Sequence, residues 1–168
     1  WIGDDFYHNG AFRQTMLEWI YEMGAHKSSE HKVPYGYRDL YEAFLTAGSA
    51  EAMARRYKAD QLPTWRKVVD NPTYNAFWRG QAVQDILATR PLQVPVLVVH
   101  GLFDQEDNFG GIAAYRSLET KDADNTRVHL VVGPWSHGQS QREGSGLGAL
   151  KWNADTSLWF RENVLLPF

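Results

Sequence analysis

Residues 95–101, Pro-Val-Leu-Val-Val-His-Gly, and residues 127–133, Arg-Val-His-Leu-Val-Val-Gly, decide the fold. Each is a short β-branched apolar run stopped by glycine, the form of a parallel strand covered on both faces. Between them, Gly110 to Lys121 reads as a helix with Ile112, Tyr115 and Leu118 inward, and Asp124-Asn125 supplies a turn. Parallel strands need a crossover of about a dozen residues or more, usually a helix, and the crossover is right-handed. The spacing therefore predicts one strand–helix–strand unit.

Toward the C-terminus the chain runs through Gly144 to Gly148, predicted as a flexible loop, into an amphipathic helix carrying Leu158, Trp159, Val164 and Leu165. Toward the N-terminus the period lengthens. Phe12, Met16, Trp19, Ile20 and Met23 recur at helical spacing and stop at Gly24, and Tyr37, Leu40, Tyr41, Phe44 and Leu45 do so again up to Gly48. Ser49 is placed to cap a third helix through about Tyr57, and Asn71 before Pro72 reads as the cap of a helical stretch running to about Thr89. No strand is expected in this half. The predicted class is α/β: a helical cap followed by the last strands and helices of a parallel sheet. Its expected divisions are a strand-end loop of the core at residues 1–9, the cap at 10–92, and the C-terminal part of the core at 93–168.

Composition narrows the function classes. With 43% hydrophobic and 22% charged residues the 168-residue chain has ordinary globular proportions, enough for a sizeable core. A formal charge of -3, with no Lys/Arg block longer than Arg55-Arg56, offers no basic field for nucleic acid or for an anionic membrane. The absence of cysteine removes disulfides and thiolate zinc sites. The longest apolar run, Val94 to Val99, is too short to span a bilayer. Among His8, His26, His31, His100 and His129 no pair stands at metal-ligand spacing with a clear partner, so neither metal nor cofactor is expected. The opening on Trp1, followed by polar residues, reads as the start of an interior piece of a longer protein.

The reactive side chains fall at the strand ends. Asp104 follows the first strand, and His137 lies four residues beyond Gly133 at the end of the second. In open α/β sheets ligands bind outside the carboxyl ends of strands, where helix N-termini and loops converge. In α/β-hydrolases the chain order is serine, then acid, then histidine, and Asp104 and His137 fit the last two places. There the histidine takes the proton of a serine hydroxyl and later returns it to the leaving group, while the acid fixes its tautomer and stabilises the imidazolium. Taken singly, such an Asp caps the next helix and such a His packs or bonds a carbonyl. Their order and their placement at successive strand ends favour the catalytic reading.

The residues also carry a family resemblance. Gly101-Leu-Phe-Asp104-Gln-Glu106-Asp107 resembles the acid loop, and Gly133-Pro-Trp-Ser-His137-Gly the histidine loop, of the α-amino acid ester hydrolases. These belong to a wider group with cocaine esterase, glutaryl acylase-like enzymes and the X-Pro dipeptidyl-peptidases. The opening stretch from Trp1 to Gln14, Phe44-Leu-Thr-Ala-Gly-Ser49 and Tyr74-Asn-Ala-Phe-Trp-Arg-Gly-Gln-Ala82 are similar to the same family. The resemblance implies a partial α/β-hydrolase fold and a serine hydrolase acting on α-amino acid esters and amides, including β-lactams with an α-amino acyl side chain. It implies catalytic Asp104 and His137, and a cluster of Asp5, Glu106 and Asp107 that receives the substrate ammonium. Three carboxylates in one pocket repel one another, and a bound cation relieves the repulsion. The partner implied is a small amino acyl ester or amide. Localisation and a homo-oligomer are left open, with exported relatives inclining the former to the periplasm or the exterior.

The family's nucleophile sits in a Gly-x-Ser-Tyr-x-Gly elbow, and none of the serines here has that setting. Gly144-Ser145-Gly146 follows the histidine loop instead of an early strand, the wrong order for an elbow. Residues 1–168 alone are accordingly expected to be inactive. The aromatic residues Trp1, Phe6, Tyr7, Phe77 and Trp78 suit either a pocket for an aromatic acyl group or the core. Three other readings stand beside the amino-ester one: an X-Pro dipeptidyl-peptidase-like peptidase or cocaine-esterase-like esterase, a binding module that kept the fold, and a hydrolase with an aspartate nucleophile.

Overall fold

The computed structural model describes residues 5–28, 33–34, 36, 39–106 and 108–168. The chain divides between Trp78 and Arg79 into two compact units.

The first unit opens on a hairpin of β1 (Tyr7–His8) and β2 (Ala11–Phe12), in which Tyr7 pairs with Phe12 and His8 with Ala11. No strand was expected here, because two-residue strands carry no periodicity. The turn is made by Asn9 and Gly10, both at positive φ, the Asn-Gly signature of a tight hairpin. Helices α1 (Met16–Gly24), α2 (Leu40–Ala47) and α3 (Ala50–Arg56) follow as the periodicity predicts. Asp39 accepts from Tyr41 N at 2.8 Å to start α2, Gly48 at φ 79° ends it, and Ser49 Oγ accepts from Ala52 N at 3.0 Å to start α3.

A 3₁₀ turn at Ala59–Gln61 leads to α4 (Pro63–Val69), with proline in its first turn. Asn71 does not cap a helix as expected. Its Nδ2 donates to Lys67 O at 2.7 Å, closing the end of α4, and its Oδ1 accepts from Asn75 Nδ2. Helix resumes only at α5 (Ala76–Arg79), where Asn75 Oδ1 accepts from Phe77 N at 3.0 Å. The core of this unit gathers Phe6, Leu17, Ile20, Met53, Trp65 and Trp78 among others. Phe6 packs edge-on to Trp19 and tilted on Trp78, with ring centroids 6.1 and 5.8 Å apart, and Tyr7 donates from its buried hydroxyl to Val68 O at 3.1 Å. Burial pushes the Tyr7 hydroxyl above its usual pKa. Phe6, Tyr7 and Trp78 are thus core residues, not the lining of an aromatic pocket; Trp1 lies outside the described residues.

The second unit begins with α6 (Val83–Thr89), which packs on the crossover helix and so joins the α/β part. Strand β3 (Val96–Gly101), helix α7 (Gly110–Glu119) and strand β4 (Val128–Gly133) form the strand–helix–strand unit, with β3 and β4 parallel and paired from Val96–Val128 to Gly101–Gly133. Leu118 is its buried helical residue, with Ile112 and Tyr115 half-buried. Within residues 1–168, Val99 is 37% and Val132 47% exposed. Among the described residues only two strands pair here, and α7 is the helix that packs on both.

Asp122 lies between α7 and β4 and accepts from the backbone N–H of Arg127 at 2.9 Å and of Val128 at 2.8 Å. The Arg127 N–H, with those of Val128 and Thr126, holds its carboxyl below the usual range against the opposing effect of burial. The segment at Gly144–Gly148, expected as a flexible loop, is tied into a hairpin of β5 (Gly146–Leu147) and β6 (Leu150–Lys151). The final helix is α8 (Thr156–Phe160), continued by a π turn at Arg161–Leu165. Its buried residues are Ser157 and Phe160; within residues 1–168 Leu158, Trp159 and Leu165 are exposed and Val164 is half-buried.

Candidate active site

The parallel register ends on two glycines, Gly101 opposite Gly133. Beyond them the loops cross closely. Leu102 N donates to Gly133 O at 2.8 Å and Phe103 N to Trp135 O at 3.0 Å, so the ladder continues past the strands and locks the acid loop to the histidine loop. A Cβ on Gly101 would stand 2.5 Å from Trp135 O, and one on Gly133 would stand 2.4 Å from the Trp135 ring. Only glycine leaves room for this crossing.

Asp104 is buried, and its N–H closes a turn to Gly101 O at 3.1 Å. One carboxylate oxygen, Oδ1, accepts from Glu106 N at 2.9 Å, and the other, Oδ2, lies 3.0 Å from His137 Nδ1. The turn role and the histidine contact are therefore both present, on different oxygens. The local bond to Glu106 fixes the carboxylate plane and aims Oδ2 at the ring. A buried carboxylate is costly unless hydrogen-bonded, and these partners offset that cost. The imidazole is the exposed member of the pair: side-chain exposure is 63% for His137 and 10% for Asp104. With Nδ1 directed at the acid, Nε2 is at the opposite edge of the ring, the arrangement a general base needs.

The histidine loop is braced from behind. Trp135 Nε1 donates to Thr156 Oγ1 at 3.0 Å, and that hydroxyl donates to Gly144 O at 2.9 Å. Asp155 Oδ1 accepts from the N–H groups of Gly144, Ser157 and Leu158, capping α8 and pinning the loop with one carboxylate. The Leu158 N–H, with those of Gly144 and Ser157, keeps its carboxyl below the usual range. Arg142 Nη2 donates to His137 O at 2.7 Å, and Arg161 Nη1 donates to Ser140 O and Arg142 O, each at 2.9 Å. Sequence reasoning named none of Gln139, Arg142, Asp155 or Arg161 as part of this region. Asp155 was the findable one, since Asp before Thr-Ser-Leu-Trp-Phe is a helix-cap signature.

The structure brings Asp104 and His137 together. Asp5 lies in a turn before β1 in the first unit, and Glu106 lies in the acid loop of the second. Asp107 falls outside the described residues. Among the described residues no group of three His, Asp or Glu is arranged to hold a metal ion, and no helix is long and apolar enough to cross a membrane. Ser157 is fully buried and donates to Gln139 O at 3.0 Å, and Ser145 immediately precedes β5, after the histidine loop.

Parallel strands joined by a helix, with an acid after one and a histidine after the other, make a partial parallel sheet of the α/β-hydrolase type, and the comparisons with known proteins agree on that fold. The X-Pro dipeptidyl-peptidase (S15 family) profile matches residues 1–139, and the chain belongs to that family. An aminopeptidase from a marine sediment archaeon, Thaumarchaeota archaeon, is similar at 45% identity and TM-score 0.94, over 100% of this chain and 28% of the neighbour. A selenomethionine-labelled α-amino acid ester hydrolase is similar at 40% identity and TM-score 0.94, over 99% of this chain and 27% of that one. The chain thus spans somewhat over a quarter of each solved relative. No curated protein matches it.

Proposed function

We propose that residues 1–168 are the acid- and histidine-bearing part of a serine hydrolase that cleaves esters and amides of α-amino acids, with the nucleophile outside this stretch. The observation that carries the reading is the 3.0 Å contact between His137 Nδ1 and buried Asp104 at adjacent strand ends. His137 takes the proton of the serine hydroxyl as it attacks the acyl carbon and gives it to the leaving alcohol or amine. It then takes a proton from the water that attacks the acyl-enzyme and returns it to the serine oxygen as the acid leaves. Asp104 keeps the ring oriented and stabilises the imidazolium between those steps. No cofactor or metal enters the sequence.

Asp5, Glu106 and Asp107 receive the ammonium of the acyl group. Support comes from the acidic residue types at these positions and from the similarity to an α-amino acid ester hydrolase and an aminopeptidase, both named for amino-bearing substrates. β-Lactams with an α-amino acyl side chain fall within the same substrate class. The S15 family match favours a second reading, a peptidase that removes Xaa-Pro dipeptides.

Hydrolysis of phenylglycine methyl ester by the full-length protein is compared with that of its N-acetyl analogue and of an Xaa-Pro anilide. Amino-ester specificity predicts fast cleavage of the first, and at least a tenfold loss on N-acetylation and in Asp5→Asn, Glu106→Gln and Asp107→Asn variants, about 1.4 kcal/mol of lost binding each. Equal rates on the two esters would exclude the amino-ester reading, and preference for the anilide would select the peptidase.

A further inference from the structure

Gln139 is two residues beyond His137, buried, and hydrogen-bonded through both ends of its amide. Its Oε1 accepts from Ser136 N at 3.0 Å and from Ser136 Oγ at 3.2 Å. Its Nε2 donates to Gly146 O at 2.8 Å and to Glu143 O at 3.2 Å. Its own carbonyl accepts from the buried Ser157 hydroxyl at 3.0 Å. One side chain therefore ties the residue immediately before His137 to the β5–β6 hairpin, while Arg142 holds the His137 carbonyl from the other side.

We propose that Gln139 is a positioning residue for His137, acting through Ser136 to keep the imidazole on Asp104. The inference rests on His137 being the base proposed above. Asp104 is fixed by its own turn and by the ladder bonds between the two loops, whereas His137 lies two residues past Trp135, where the last of those bonds falls, so its ring meets Asp104 only where its backbone carries it. That backbone is a short loop ending in Gly138 at φ 68°, without regular structure of its own. The Gln139 amide ties down the stretch of loop beyond the last ladder bond at Trp135. A hydrocarbon of the same length would fill the volume but leave Ser136 N, Glu143 O and Gly146 O without this partner. The loop would then turn to find others, carrying the ring away from Oδ2.

The test uses the full-length protein and an ester it cleaves. In Gln139→Met, kcat falls on the order of a hundredfold, the loss expected of a displacement near 1 Å, while KM stays within about twofold. The acid limb of the kcat/KM profile moves to lower pH, because a ring that has left a carboxylate gives up its proton more readily. A purely structural role lowers the amount of active enzyme without moving that limb. Gln139→Glu keeps the length and an oxygen for Ser136 but turns its second oxygen onto the carbonyls of Gly146 and Glu143, so it loses kcat about tenfold or more and decides the matter if the Met variant does not fold. A folded Gln139→Met with wild-type kcat, an unmoved acid limb, or a Glu variant with wild-type kcat would overturn the proposal. His137→Ala separates the two levels: retained activity there removes the catalytic reading itself, whereas an inactive His137→Ala beside a fully active Gln139→Met removes only the positioning role.

Discussion

Replacing Gly101 with alanine tests whether the crossing of the two loops is what builds the site. The added Cβ would stand 2.5 Å from Trp135 O and 3.2 Å from its carbonyl carbon. Ordinary contact lies near 3.4 Å, so the two backbones must part by close to an ångström, and neither is a flexible side-chain end that can swing aside. Trp135 O is also the acceptor of Phe103 N, the bond that joins the acid loop to the histidine loop one residue before Asp104. Overpacking of this kind costs about 1–3 kcal/mol, and loss of the hydrogen bond places the effect toward the upper half of that range. A local cost of about 2 kcal/mol raises the opening equilibrium of β3 and β4 by roughly thirtyfold, at 1.4 kcal/mol per factor of ten. Native-state hydrogen exchange of amides 96–101 and 128–133 in the full-length protein reads that change directly. The same displacement separates Asp104 from His137, so kcat falls on the order of a hundredfold. Exchange rates within threefold of wild type, together with unchanged kcat, would refute the reasoning.

Other perturbations report on the supports around the site. Asp122 has a folded pKa below its unfolded value, so its contribution is present above the usual carboxylate pKa near 4 and is lost as pH falls through the folded value. Asp122→Asn keeps an acceptor for Arg127 N and Val128 N but removes the titration, so the acid-side rise in exchange at Val128 should flatten; an unchanged acid limb would contradict the assignment. Tyr7→Phe removes the donor to Val68 O and should cost about 1–3 kcal/mol in the helical unit by thermal unfolding. Because burial raises the Tyr7 pKa, its stabilisation is complete below the usual tyrosine pKa near 10 and fades as pH rises through the folded value, a dependence the Phe variant should lack. Phe6→Ala, at a fully buried ring packed on Trp19 and Trp78, should cost about 3–5 kcal/mol; a loss under 1 kcal/mol would show that this cluster is not the core of the unit.

The α/β unit was legible in the sequence because its strands are continuous apolar runs ended by glycine, a pattern that a helix or a loop does not produce. Val99 and Val132 are exposed within residues 1–168, which hold two strands of a partial parallel sheet. Capping chemistry was readable where one residue decides it, as at Ser49, and unreadable at Asn71, whose side chain had a competing acceptor four residues back at Lys67 O. Asp104 and His137 were found from strand-end placement, which is a backbone property. Gln139 was invisible because its role depends on four partners brought together by a hairpin that no periodicity announced. The carboxylates at Asp5, Glu106 and Asp107 rest on residue type and resemblance, since no local rule gives three acidic side chains from distant stretches a common target.

The most direct test of the central claim is the kinetics of His137→Ala and Asp104→Asn in the full-length protein, on whichever of phenylglycine methyl ester or an Xaa-Pro anilide the wild type cleaves. A base held by a buried acid predicts losses in kcat on the order of a thousandfold or more for both, with folding intact by circular dichroism. Activity within tenfold of wild type in either variant would contradict the catalytic pair and leave the 3.0 Å contact as a structural bond between two loops.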